Sequence, residues 1–309
     1  METKTEGADK RVYIALFVII VLAAVVRVNL LGLHRLHMDE CLYSAYSIRM
    51  VTKGDLLLNG GLQVDKPPLF FYAIAASFLI NGISENAARI PNIIFSLFTI
   101  FFIYKFANIL FRKKSVSLLS AYFAAFSVMF VLFSTTAFQD ISMIMFFMWA
   151  LIAAKDGRFK LSAALYACSI ACKPMTIFLF PIYAWFIFDF AGFVINKKNL
   201  KDFFVGISYV FIPLILWSVF AANPRFGIFK FFITQQPEAM SVSFDIAGRA
   251  AAWMAHIKYL MNGFYYSFAA AGGTLFLIVF FLVNRRKEEA KPFLFLFASI
   301  VYILSLIHI

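Results

Sequence analysis

The sequence predicts an all-α polytopic transmembrane helical bundle with interfacial helices in its first outer loop. Three observations predict it. Of 309 residues, 63% are hydrophobic and 14% charged, and 41 are phenylalanine. No soluble domain hides so much apolar side chain. The apolar residues fall in a series of long runs, and the bases stand in short clusters between those runs. A net charge of +12 would suit a nucleic-acid binder. Bases confined to the loops between apolar runs instead orient a chain in a bilayer, so no nucleic-acid partner is expected.

Residues 1–11 are polar and end in Lys10-Arg11. Val12–Leu33 reads as a first span and a retained anchor, with Arg27 close enough to its far end to snorkel to the interface. The interval from His37 to Tyr72 follows, mixing acids, bases, tyrosines and glycines. Asp39 is expected to cap a short helix running to Lys53, with Gly54 as its stop. Tyr43, Tyr46 and Met50 share a face of that helix, as in a helix lying along a membrane surface. Asn59-Gly60-Gly61 is a turn, and Pro67-Pro68 keeps Lys66 extended.

The apolar run 69–81 decides the topology. As a helix it reaches about 20 Å, short of the roughly 30 Å hydrocarbon core. Further spans are read at about 89–111, 115–134, 141–154, 161–172, 174–195, 203–222, 264–283 and from 293 onward. If 69–81 does not cross and the N-terminus is cytoplasmic, most bases fall in short cytoplasmic loops. These are Lys4, Lys10 and Arg11; Arg112-Lys113-Lys114; Lys155, Arg158 and Lys160; Lys197, Lys198 and Lys201; and Arg285, Arg286, Lys287 and Lys291. The long outer loops, about 34–88 and 223–263, hold fewer. Counting 69–81 as a span would reverse every later loop against the positive-inside rule.

With this topology Asp39, Lys66, Arg89, Asp140 and Lys173 emerge at one outer membrane face. Charges from separated parts of the chain then share a level, as in a polar site at a membrane surface. Each also has a plainer reading. Asp39-Glu40 and Asp140 could be helix caps, Lys66 and Arg89 interface anchors, and Lys173 a structural ion-pair partner of Asp140. Cys168 and Cys172 read as small buried hydrophobes, and the four histidines have no zinc-like spacing. Asp189 falls in the inner half of its run and reads as structural. The second outer loop, with Asn223-Pro224, Gln235-Gln236-Pro237, Trp253, His256 and Lys258, is long enough to cover the outer face. The chain stops at Ile309 inside an apolar run, so 1–309 is read as a single membrane module truncated at its C-terminus.

Residues 37–111 resemble the N-terminal signature of membrane glycosyltransferases of the GT-C type that use polyprenyl-phosphate sugars, such as the protein O-mannosyltransferases and the lipid A aminoarabinose transferase. The acidic pair after the first span is Asp39-Glu40 with Tyr43. The KPP step is Asp65-Lys66-Pro67-Pro68-Leu69, and the step into the next span is GISENAARIPN with Gly82, Glu85 and Arg89. A second acid opening a later span is similar to Asp140, and a lysine between two spans to Lys173. The order holds across about residues 12–283. The resemblance implies a GT-C bundle in a prokaryotic plasma membrane, acting at the non-cytosolic face as an inverting transferase. Its donor would be a polyprenyl-phosphate sugar, and its acceptor a lipid, polysaccharide or protein.

It further implies Asp39 as base, Glu40 as helper or acceptor contact and Asp140 as a second acidic site residue. Lys66 and Lys173 would be phosphate ligands, with Tyr43 and Arg89 also substrate-binding. Two departures stand out. Leu42 replaces an arginine found in some relatives, and Gln235 and Gln236 stand where some carry a metal-ligating histidine. No metal and no cofactor is therefore expected. Such a sugar needs a base for the acceptor hydroxyl and cations for the departing phosphate, but little general acid. The alternative from a different class is a transporter or flippase of lipid-linked sugars. It would be expected to show an internal repeat and mid-membrane polar groups, and neither is evident.

Overall fold

The computed structural model describes residues 2–59, 64, 66–220, 291–296 and 299, with backbone alone for 2–9. The chain divides into a unit through Ile228 and a second unit from Phe229, in which 291–296 and 299 are helical. Expectations on Gly60-Gly61, Asp65, the loop 223–263 and the run 264–283 lie outside the described residues.

The first unit is helical, with no strand among the described residues. Its elements are α1 (Glu2–Leu30), α2 (Met38–Lys53), α3 (Leu69–Asn81), α4 (Glu85–Phe111), α5 (Lys114–Phe126), α6 (Val128–Ser134), α7 (Asp140–Lys155), α8 (Phe159–Cys172), a 3-10 turn (Pro174–Leu179), α9 (Phe180–Asp189) and α10 (Lys197–Phe220). Among the described residues, three helices are long and apolar enough to cross a bilayer: Lys10–Leu30, Glu85–Phe111 and Lys197–Phe220. On α1, Tyr13, Phe17, Val21 and Val28 face outward, while Leu16 and Ala23 pack on Ile100 and Tyr104 of α4 and Ala121 and Ala125 of α5.

Several expected spans differ in form. The run 115–134 is two helices, α5 and α6, bent by 58° at Ser127. Arg27 does not snorkel but is wholly buried beside this break. Its Nη1 donates to Ala23 O at 3.1 Å and to Ala125 O at 3.0 Å, and its guanidinium lies 5.5 Å from the Phe130 ring centre. A helix end leaves carbonyls without intrahelical partners, and a buried guanidinium supplies one. The run 174–195 opens as the 3-10 turn, continues as α9 and ends before Gly192, whose φ of +67° turns the chain. α8 has 14 residues, about 21 Å of helix. Most of its side chains are buried in protein, so it need not present a bilayer's length of apolar surface.

α4 is the central post. Pro91 lies inside it and cannot donate to the Ala87 carbonyl. Ser77 Oγ of α3 donates to that carbonyl at 2.6 Å instead, tying the short helix to the long one. α3 also packs on α2. Tyr43, Tyr46 and Met50 form the expected common face, but they are buried against Phe70, Phe71 and Ile74 rather than laid on an outer surface. On the far side, Gly206 of α10 sits so close to α8 that a Cβ there would collide with the Lys160 carbonyl and lie 2.9 Å from Ala163 Cβ.

Candidate active site

The starts of α2, α4 and α7 and the end of α8 carry the acids and bases singled out above. α2 begins at His37, which is its N-cap in extended backbone, φ −66° and ψ 158°. Asp39 is not the cap, contrary to expectation. His37 Nδ1 accepts from the Asp39 N–H at 3.2 Å, and Glu40 Oε2 accepts from the His37 N–H at 2.8 Å, a reciprocal cap that closes the helix start. Once the cap and first turn are fixed, the 100° step between adjacent helical residues sends the two neighbouring carboxylates in different directions. Glu40 turns inward and is 1% exposed; Asp39 is half-buried.

Glu40 is fully occupied. Its Oε1 accepts from Arg89 Nε at 3.0 Å and from the Ala137 N–H at 2.6 Å. Its Oε2 accepts from His37 and from Arg89 Nη2 at 3.3 Å. A carboxylate offers about four lone-pair sites, so none is left for an acceptor molecule. Burial alone would raise the Glu40 carboxyl's pKa. The Arg89 hydrogen bonds, the His37 and Ala137 N–H donors and the Arg89 charge outweigh it and hold the carboxyl below its usual range. Arg89 is committed likewise, with Nη1 on His34 O at 2.8 Å and Nη2 on Arg35 O at 3.2 Å. Its planar fork therefore clamps the α1–α2 loop to the head of α2. Both residues were expected to meet substrate; both are buried and spend their bonds inside the protein.

The strap 135–139 links α6 to α7 and is held from two sides. Ala137 donates to Glu40, while Asn92 Nδ2 of α4 donates to Thr136 O at 2.7 Å and to Phe138 O at 2.6 Å. The His37 and Phe138 rings lie 5.4 Å apart. α7 starts directly afterwards at Asp140, in the first turn, where the helix dipole favours a carboxylate. Asp140 Oδ1 receives Lys173 Nζ at 2.6 Å, and both side chains stay about a third exposed. Lys173 is the extended C-cap of α8, φ −141° and ψ 113°, and Pro174 starts the next turn. Thr176 Oγ1 fixes the corner by donating to Lys173 O at 2.7 Å.

Lys66 lies just before α3, with Nζ 5.1 Å from the Tyr43 ring centre. Tyr43 is buried and also packs on Phe71, ring centres 5.3 Å apart. Its ring is a seat for the Lys66 ammonium. The structure thus joins the expected residues as Glu40 with Arg89, Asp140 with Lys173, and Tyr43 with Lys66. Asp39 differs from the other two acids: among the described residues its carboxylate has no hydrogen bond or ion pair. Asn92, the Ala137 amide and the His37 cap were missed. The one sequence signal for Asn92 is its place three residues after Arg89, one turn along the same face of an apolar helix.

The family model described as "Dolichyl-phosphate-mannose-protein mannosyltransferase" matches residues 65–217, just under half of the chain. Lys66, Arg89, Asn92, Asp140 and Lys173 all fall inside that match. An "Uncharacterized protein" of Aquifex aeolicus (strain VF5) is 22% identical over 191 residues, which is 59% of this chain and 38% of the relative. The chain therefore spans less than two-fifths of that relative's length. No solved structure matches. The family match bears out the resemblance to membrane glycosyltransferases of the GT-C kind.

Proposed function

We propose that the chain is the membrane module of an inverting glycosyltransferase. It moves a sugar from a polyprenyl-phosphate donor to a lipid, polysaccharide or protein acceptor at the non-cytosolic face. The observation that carries this reading is the state of Asp39. It is a half-buried carboxylate without a partner among the described residues, next to an acid that is fully bonded and at the same end of the bundle as Lys66 and Lys173.

Asp39 takes the proton of the acceptor hydroxyl. The acceptor oxygen forms its bond to the anomeric carbon as the carbon–oxygen bond to phosphate breaks, and the electron pair leaves with the phosphate. Attack opposite the leaving group inverts the anomeric centre, by the geometry that separates inverting from retaining glycosidases. Polyprenyl phosphate departs as an anion, so cations rather than an acid assist it. Lys66, seated on Tyr43, and Lys173, at the α8 corner, supply that charge. Asp140 holds Lys173 in place and, being partly exposed, can yield it to the phosphate. Glu40 and Arg89 position the head of α2.

The test is a purified-protein assay with a panel of polyprenyl-phosphate sugars and candidate acceptors. One free polyprenyl phosphate should appear per glycoside formed, with inverted anomeric configuration. Donor that crosses reconstituted vesicles intact, with no glycoside formed, would point to a transporter and remove the enzymatic reading.

A further inference from the structure

The proposed base and the acid that holds Lys173 belong to helix starts far apart in sequence, Asp39 on α2 and Asp140 on α7. What sets them relative to each other is the strap 135–139. One edge of the strap is bonded to α2 through the Ala137 N–H on Glu40. The other is bonded to α4 through Asn92, whose single amide nitrogen donates to the carbonyls on both sides of Ala137, at Thr136 and Phe138. An amide nitrogen has two N–H donors, and here both are used on carbonyls two residues apart in one strap. Arg89, one turn earlier on α4, grips Glu40. α4 therefore holds α2 with one residue and the strap with the next, and Asp140 begins α7 two residues after Phe138. Asn92 is wholly buried, so solvent cannot replace its bonds without opening the bundle.

From this arrangement we infer that Asn92 is a positioning residue of the transfer reaction: it fixes where Asp140, and through it Lys173, stands relative to Asp39. The inference rests on the transferase reading given above. Asn92 touches neither donor nor acceptor; it acts through the strap. Deleting its side chain leaves the part-buried Thr136 and Phe138 carbonyls without these donors and frees the strap to shift, while Asp39, Lys66 and Lys173 keep their identities. A shift of about 1 Å at the reacting groups can cost about 100-fold in rate.

The experiment uses the full chain and three variants, Asn92→Ala, Asp140→Asn and the double, with Asp39→Asn as a separate control. Hydrogen–deuterium exchange over 135–140 gives a readout that does not depend on turnover. Asn92→Ala should speed exchange in 135–140 while α4 and α7 stay protected. Its kcat should fall by about 10-fold to 100-fold with the donor KM changed by less than about 3-fold. In the Asp140→Asn background the same change should add little, since both then remove one unit. Unchanged exchange at 135–140, an unchanged kcat per folded protein, or losses that multiply in the double variant would overturn the inference. If Asp39→Asn turns over like wild type, it is the transferase reading that fails, and the exchange result still decides whether Asn92 holds the strap.

Discussion

Glu40 and Arg89 are each about 2% exposed, and such a pair is costly to break even where forming it contributes little net stability. Removing Arg89 alone, as Arg89→Met, leaves a buried carboxylate short of its cation, and about 3–5 kcal/mol of stability should be lost on thermal or denaturant unfolding. The pH dependence has a definite sign. The folded Glu40 carboxyl sits below its usual pKa, so the unfolded chain binds its proton first on acidification. The stabilisation is complete above the ordinary carboxylate range, near about 4.3, and is lost as pH falls through the folded value. Thermal unfolding in detergent between pH 7 and pH 3.5 should show this loss in wild type and less of it in Glu40→Gln. An equal acid loss in both proteins would count against the assignment. The sequence pairs the two acids at a helix start, but does not report which of them turns inward. That depends on Arg89, 49 residues away, and on the Ala137 amide, 97 residues away, and no local pattern reports either.

At the level of elements, helix identity was legible because apolar run length is a strong signal, and Gly54 in left-handed backbone stops α2 as expected. Breaks were not. Hydropathy averages across Ser127, which is neither proline nor glycine, whereas the bend there is met from another helix by the buried Arg27 guanidinium. The 3-10 stretch after Lys173 begins at Pro174, and its Thr176 bonds to Ser169 and Lys173 turn the chain at the α8 end. Close packing was equally hidden, since Gly206 reads as a weak helical residue until α8 is placed against it. Adding a methyl group to an exposed helical glycine normally stabilises by about 0.5–1 kcal/mol. Gly206→Ala should do the opposite and cost about 1–3 kcal/mol, because the new Cβ meets a backbone carbonyl that cannot step aside. Thermal unfolding of the purified variant reads the sign directly; a stabilised Gly206→Ala would show that α8 and α10 are not packed this closely.

For the whole molecule, the class of fold follows from composition alone, and the order of helices follows from the apolar runs. Sidedness rests on the loop bases and on α3, whose 13 residues reach about 20 Å. Cysteines introduced at 55–58 and at 112–114 should be labelled from opposite sides of sealed vesicles. Labelling from one side would mean that α3 crosses, and the polar end of the bundle would then no longer share one face. The helix starts that carry Asp39 and Asp140 and the corner that carries Lys173 are joined at one end by short bonds, and on that convergence the catalytic account stands. Its most direct test is turnover of a polyprenyl-phosphate sugar by Asp39→Asn, which keeps the side chain's size and removes its basicity. The account predicts a kcat lower by about 100-fold to 10,000-fold, with donor KM near wild type and the protein folded. Turnover at the wild-type rate would contradict it.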